Sequence, residues 1–369
     1  MRRSPVATAA PPAHARIHPL ELQAQVRARQ VVLQHGWNST AYQILNPGIS
    51  YWFTRDRNAV VGFIRRSRYV LVAGAPVCPP ESIGDVIREF EAECSGQGLK
   101  VCYVCAGERL RHQVARAGTH AVVPIGAQPV WDPASWPALV AARSSLRAQL
   151  QRARNKGVAI EEVHPNSAAR DPEIARVLDE WLEGRTLPPL HFLTKPEALR
   201  GVVEDRVVFV ARRNRRTVAY LVASPVVARN GYLIEELARS AGAPNGTSEL
   251  LIDAAMRRFA AEGRSYVTLG LVALARNVFR ESPLWLRGLL YFARAHANRF
   301  YNFRGLEQFR SKLQPACWEK VYVISRERRF SLATLYAVGG AFSGIAPWRA
   351  LALGLLNALR AEWHGRTFR

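Results

Sequence analysis

The chain has 369 residues, 49% of them hydrophobic, which is enough for two domains with cores of their own. Its 51 Lys and Arg stand against 29 Asp and Glu, a net charge of +22; a polyanionic partner, nucleic acid or anionic lipid, suits that excess, and a genome-wide Arg bias is the competing explanation. Five cysteines (Cys78, Cys94, Cys102, Cys105, Cys317) are too few and uneven for a disulfide framework and fit a reducing cytosol.

Residues 1–19 carry an Arg pair with no apolar stretch behind it, so they read as a disordered tail rather than a signal. Residues 20–35 read as a helix. The short apolar runs 49–55, 59–65 and 69–77 suggest an antiparallel meander. A helix follows over 82–94, with Ser82 as N-cap and apolar residues at 83, 86, 87 and 90. A strand at 99–106, a helix at 108–117 and a strand at 120–125 complete the first cycle. Cys102 and Cys105 form C-x-x-C inside that first strand, where alternation would aim them at opposite faces. No second pair stands at zinc spacing, and no metal is expected.

A basic helix is expected over 139–156. Arg143, Arg147 and Arg154 lie on one stripe, widened by Arg152 and Lys156, with Leu139, Leu146, Leu150 and Ala153 opposite. The stripe is either a solvated face or a phosphate contact. The second cycle then repeats the first: a helix at 171–183, strands at 207–211, 217–227 and 232–237, a helix at 247–261, a strand at 266–271, a helix at 285–300 and a strand at 318–325. This repeated order is the layout of an α+β, Gcn5-related N-acetyltransferase (GNAT)-like fold in tandem, with mixed, mostly antiparallel sheets flanked by helices. The expected division is 20–138, a linker helix 139–157, and 158–329. Beyond it, 330–348 carries no charge for 19 residues, and 350–359 is apolar again. That length touches the lower limit for a spanning helix. Gly339, Gly340, Gly344, Pro347 and Arg349 interrupt it, which fits helices packed on the domain or lying in a membrane interface.

Two segments could carry chemistry. In 235–256, a strand leads through a loop into a helix, the place where an acetyltransferase holds the pyrophosphate of coenzyme A on backbone amides. Here the loop 239–246 is long and contains Pro244, which has no amide hydrogen, so it makes a poor coenzyme A cradle. Glu236 and Arg239 end the strand together, facing a common cleft. A carboxylate there can deprotonate a hydroxyl, and an Arg can hold a phosphodiester; a plain surface ion pair is the alternative. Asn245 lies in the loop as a further substrate contact, and Glu249 sits in the first helical turn after a Thr247 cap. In 301–323, Lys312 could stabilise an oxyanion or protonate a leaving group, with Arg304 and Arg310 near phosphates; a snorkelling surface Lys is the alternative. Residues 257–329 interleave 15 Lys or Arg with aromatics, a pattern that suits RNA as well as a core. No G-x-S-x-G, H-E-x-x-H or Walker A pattern occurs.

The blocks LRAQLQRARNKGV (146–158), EELAR…APNGTSELLI (235–252) and YNFRGLEQFRSKLQPACWE (301–319) resemble the C-terminal catalytic domain of phosphatidylglycerol lysyltransferases, the multiple peptide resistance factor group. The resemblance covers roughly residues 35–330. It implies transfer of an amino acid, of lysine or alanine type, from its charged tRNA to the head group of phosphatidylglycerol. It further implies no cofactor and a peripheral place at the cytoplasmic face of the membrane. By the same resemblance, Glu236 handles the acceptor, Arg239 binds substrate and Lys312 is the functional Lys of an F-x-x-K segment, while the Glu249 position is also acidic. Two departures stand out. The family usually carries an N-terminal multispan flippase, which this sequence does not show, and 292–300 lacks the acidic residues of lysine- and alanine-specific members. A soluble acceptor, an acyl-coenzyme A donor and a non-catalytic nucleic-acid binder are the other readings. Loss of transfer with an intact fold is expected for Lys312→Ala.

Overall fold

A computed structural model describes residues 19–184, 192–194, 196, 198–273, 275, 285, 287, 288 and 303–343. The expected helix 285–300 lies almost wholly outside them, as do the tail 1–18 and residues 344–369. The first half runs α1 (Pro19–His35), β1 (Ser50–Phe53), β2 (Val60–Arg66), β3 (Tyr69–Ala73), α2 (Ile83–Gly96), β4 (Lys100–Ala106), α3 (Glu108–Ala115) and β5 (Ala121–Trp131). Then come α4 (Trp136–Ala142) and α5 (Ser144–Asn155). The second half runs β6 (Ala159–Val163), α6 (Pro165–Ala168), α7 (Pro172–Glu183), β7 (Val207–Arg213), β8 (Arg216–Val226), β9 (Gly231–Arg239), α8 (Thr247–Ala261), β10 (Tyr266–Thr268), β11 (Val272–Ala273), α9 (Phe303–Lys312) and β12 (Cys317–Ser325). The described part closes with α10 (Leu332–Ser343).

This is the tandem GNAT-like layout, built into one sheet of order β1-β2-β3-β4-β12-β5-β10-β9-β8-β7-β6, with β11 beside β5. The strands of each half's meander are antiparallel, and each half then adds one parallel pair, β3 with β4 and β9 with β10. The last strand, β12, inserts between β4 and β5 of the first half, antiparallel to both. The long β5 continues past it to pair with β10. The halves therefore share strands, which a reading along the chain does not reveal.

Alternation sorts the strand residues onto two layers. On one face of the first half, Ala28, Val31 and Val32 of α1 and Ala337, Val338 and Ala341 of α10 cover Leu71, Ala73, Cys102 and Val104. On the other, α2 and α3 cover Val61, Val70, Val72 and Tyr103. In the second half, α4, α5 and α8 cover Phe209, Leu221 and Ile234, and α7 covers Val208, Val210, Tyr220 and Val222.

Three local expectations change. Cys105 does not point away from Cys102. It is the extra residue of a β-bulge: Tyr322 pairs with Ala106 and Val323 with Val104, leaving Cys105 unpaired at φ +62°. The bulge turns Cys105 to the side of Cys102, and both belong to one buried cluster. Burial pushes the Cys105 thiol up to about 12, so both are packing residues. The basic helix is also two helices, broken at Arg143 (φ −113°, ψ 97°). Arg147 reaches back to the carbonyls of Ala141 and Val140, satisfying acceptors at the end of α4. Finally, the cap of α8 is Gly246, not Thr247, whose hydroxyl donates instead to the Pro244 carbonyl at 2.7 Å. Gly246 has φ +93°, and a Cβ there would stand 2.1 Å from the Gln149 carbonyl oxygen. Gly246→Ala is expected to cost about 2–4 kcal/mol, because it combines left-handed strain with a backbone clash; denaturant unfolding of the variant measures it.

Candidate active site

The centre of the site is a second bulge. Val222 pairs with Glu236 and Ala223 with Ile234, so Glu235 is the extra residue in β9. Two adjacent carboxylates thereby enter the interior from one strand. Bulges re-aim side chains in this way.

Their environments drive them apart. Glu235 accepts hydrogen bonds from Asn46 Nδ2 (2.9 Å), Gln43 Nε2 (3.2 Å) and the Ser224 hydroxyl, and pairs with Arg206 at 3.3 Å. Burial works to raise its carboxyl, but Arg206 and these donors hold it below the usual carboxylate range. Among the described residues, Glu236 receives the Tyr220 hydroxyl (3.0 Å) and the Ala198 amide (2.8 Å). Burial, and then the charge of Glu235, push it up to about 7. A carboxyl held near 7 beside one held low can give and take a proton at neutral pH.

Both carboxylates line a cavity of about 230 Å³. The first half contributes Ser39, Thr40 and Gln43 to its wall, and α9 contributes Leu306, Phe309 and Arg310. Arg310 donates to the Gly270 carbonyl at 2.8 Å. The cavity thus brings a carboxylate near neutrality and a guanidinium into one enclosure.

A second cavity of about 340 Å³ adjoins it, sharing Trp181, Leu237 and Phe309. Arg152, Arg239, Asn245 and Glu249 lie on its wall at the start of α8. This corrects the expectation of a common cleft for Glu236 and Arg239: three residues apart on a strand, they point to opposite faces, and each opens into its own cavity. The carboxylate of Glu249 occupies the helix start where a pyrophosphate would bind, and like charges repel there.

The other expected residues divide. Arg310 lines the same central cavity as Glu236. Lys312 is the exposed last residue of α9 and lines neither cavity. The Arg304 side chain lies outside the described residues. Arg143 donates to the Gln314 side chain, Arg147 to α4 carbonyls and Arg154 to Asp253 at 3.3 Å, so these three have internal partners. Arg152, which the sequence reading gives only as widening the basic stripe, lies on a cavity wall together with Gln149 of the same helix. Glu235, Arg206 and Tyr220 were not singled out by the sequence. The signal for them was the Glu-Glu doublet itself, because two successive acids in an apolar strand cannot both face solvent without a bulge. Among the described residues, no group of three or more His, Cys, Asp or Glu is placed to hold a metal ion.

A family model described as phosphatidylglycerol lysyltransferase, C-terminal, matches residues 29–325. The phosphatidylglycerol lysyltransferase of Bacillus subtilis (strain 168) is 23% identical over 291 residues, 78% of this chain and 33% of that protein. The chain therefore spans about a third of that relative's length. Among solved structures, the C-terminal domain of a putative lysylphosphatidylglycerol synthetase from Agrobacterium fabrum superposes with a TM-score of 0.72 at 22% identity, covering 88% of this chain and 98% of that one. L-PGS from Bacillus licheniformis gives 0.70 at 18% identity, covering 86% and 95%. FemX gives 0.53 at 9% identity, covering 85% and 98%. These likenesses establish the shared fold.

Proposed function

Since this chain belongs to the phosphatidylglycerol lysyltransferase C-terminal family, we propose that it moves an aminoacyl group from a charged tRNA to a head-group hydroxyl of phosphatidylglycerol. The observation that carries the site assignment is the buried Glu236, held near neutrality in a cavity shared with Arg310. The lipid hydroxyl attacks the carbonyl carbon of the aminoacyl ester, and Glu236 takes its proton. The carbonyl oxygen gains negative charge, which the Arg310 guanidinium offsets. The ester C–O bond then breaks, and the departing ribose oxygen takes up the proton. The products are an aminoacyl lipid and a tRNA with a free terminal hydroxyl.

Both substrates carry phosphodiesters, and Arg239 and Arg152 in the adjoining cavity suit that group. Lys312, at the exposed end of the helix that carries Phe309 and Arg310, suits a phosphate outside the two cavities. The net charge of +22 favours approach to tRNA and to an anionic membrane alike. The setting is peripheral, at the cytoplasmic face of the membrane.

Substitution separates these roles. Arg310→Ala is expected to lower kcat about 10²-fold with KM little changed, as for a removed oxyanion partner. Arg239→Ala is expected to raise KM about tenfold or more for a phosphate-bearing substrate, and Lys312→Ala, at an exposed position outside both cavities, is expected to do the same rather than to abolish transfer. Steady-state kinetics with charged tRNA and phosphatidylglycerol vesicles measures both. Unchanged kinetics in all three variants would remove the site assignment.

A further inference from the structure

Seven large hydrophobic side chains are conspicuously exposed among the described residues, and five lie on two helices. Leu20 (67%), Leu22 (51%) and Val26 (51%) are on α1; Leu332 (68%) and Tyr336 (51%) are on α10. All five fall outside residues 29–325, the part that matches the family model, so the face they form is additional to the shared catalytic body.

The two helices cover the same face of the first half's sheet. Their inner sides, Ala28, Val31 and Val32 on one and Ala337, Val338 and Ala341 on the other, bury in one cluster. They also begin at the same end of it. The Thr334 hydroxyl near the start of α10 approaches the Tyr69 hydroxyl at 3.4 Å, and Tyr69 pairs with Arg66 at the tip of the β2–β3 hairpin. The start of α1 shares a groove of about 790 Å³ with Ile49, Ser50 and Tyr51. Ser50 pairs with Phe63, and the strand runs from Phe63 toward that same tip.

Cations surround this end. Arg65, Arg66 and Arg68 are exposed on the hairpin, and Arg328 and Arg329 are exposed just before α10. Exposed apolar side chains on two helices of one face, with Arg and a Tyr among them, are the surface chemistry of a protein that rests on anionic lipid. The far end of α10 touches the wall of the central cavity: Phe342 packs on Phe192 with ring centres 5.9 Å apart, next to the cavity residue Leu193.

We propose that the start of α10, the start of α1 and the β2–β3 hairpin form the face on which this chain lies against an anionic bilayer. Apolar side chains enter the head-group region, and the five Arg side chains meet lipid phosphates. The inference deepens the proposed function by naming the surface that meets the membrane, and it rests on that reading for its biological meaning.

The test is flotation of the full chain with vesicles of phosphatidylcholine alone and with part of it replaced by phosphatidylglycerol. The unaltered chain should float with the anionic vesicles, less so at high salt. The pair Leu332→Glu with Tyr336→Glu, and separately Arg328→Glu with Arg329→Glu, should each weaken binding roughly tenfold or more. All four positions are exposed, so unfolding midpoints should not move. Full binding by both double variants would overturn the proposal, as would a dimer in light scattering that the apolar variant turns into a monomer. Transfer from charged tRNA to a short-chain phosphatidylglycerol below its micelle concentration separates the two readings. Variants that lose flotation but keep this transfer support the face; an unaltered chain that floats but transfers nothing leaves the face and removes the proposed reaction.

Discussion

Glu236→Gln is expected to lower kcat about 10²–10⁴-fold, the range for loss of a positioned general base, while the variant stays folded. Gln keeps the shape and can still meet the Tyr220 hydroxyl and the Ala198 amide. The pH profile makes the prediction specific. The base must be ionised, and burial with Glu235 nearby pushes its carboxyl up to about 7. Activity should therefore rise with pH through about 7 and level off above it, and the residual activity of the Gln variant should lack that limb. Stability moves in the opposite direction. Below the ordinary value of 4.5 the carboxyl is protonated in both folded and unfolded chains. Between 4.5 and about 7 the unfolded chain releases this proton and the folded one keeps it, so this group's contribution falls as pH rises. Denaturant midpoints from pH 4.5 to 7 should show a smaller fall in Glu236→Gln than in the unaltered chain.

The second large effect lies in the adjacent residue. The Arg206 side chain is fully buried, and it bonds Asn46 Oδ1 (2.6 Å), Ser224 Oγ (3.0 Å) and Glu235 (3.3 Å) while stacking over Tyr42 with 4.9 Å to the ring centre. Glu235→Ala leaves that guanidinium buried without its counter-charge, and Arg206→Ala leaves the carboxylate so. Each is expected to cost about 3–5 kcal/mol in stability, as removal of one member of a buried pair does. Replacing both should cost less than the sum, because neither charge is then stranded. Urea unfolding of the two single variants and the double measures this directly. The carboxyl of Glu235 lies below its ordinary range, so its share of stability is present at neutral pH and lost on acidification. Activity should fall with stability in these variants, since Gln43 and Asn46 of the first half are tied to β9 through Glu235.

Much of this fold is legible in the sequence, because each element carries its own period. The strand patterns of 59–65 and 207–211 and the helix faces of 171–183 and 247–261 depend only on neighbours a few residues away. Asp171 accepts from the Glu173 amide as a cap should. What the sequence hides depends on register between distant strands. The bulges at Cys105 and Glu235 arise from pairing with β12 and β8, and one extra residue inverts the faces that alternation assigns. The insertion of β12 between β4 and β5 is equally invisible, since adjacency in the chain says nothing about which sheet a final strand joins. The site divides in the same way. Glu236 is legible from its place at a strand end, but the guanidinium on its cavity wall, Arg310, lies 74 positions along the chain, and Arg239 faces away because three steps along a strand reverse direction. The cations of the linker stripe, Arg147 and Arg154, are absorbed by helix ends and by Asp253, as hydrogen-bonding demand at helix termini and a buried carboxylate require.

The most direct measurement is the movement of radiolabel from a panel of charged tRNAs into lipid extract, with phosphatidylglycerol vesicles as acceptor. Label in the organic phase, dependent on one tRNA and lost in Glu236→Gln, is the expected result, and it names the amino acid. Label released from tRNA but absent from lipid would contradict the lipid acceptor, and no release from any charged tRNA would contradict the reaction itself.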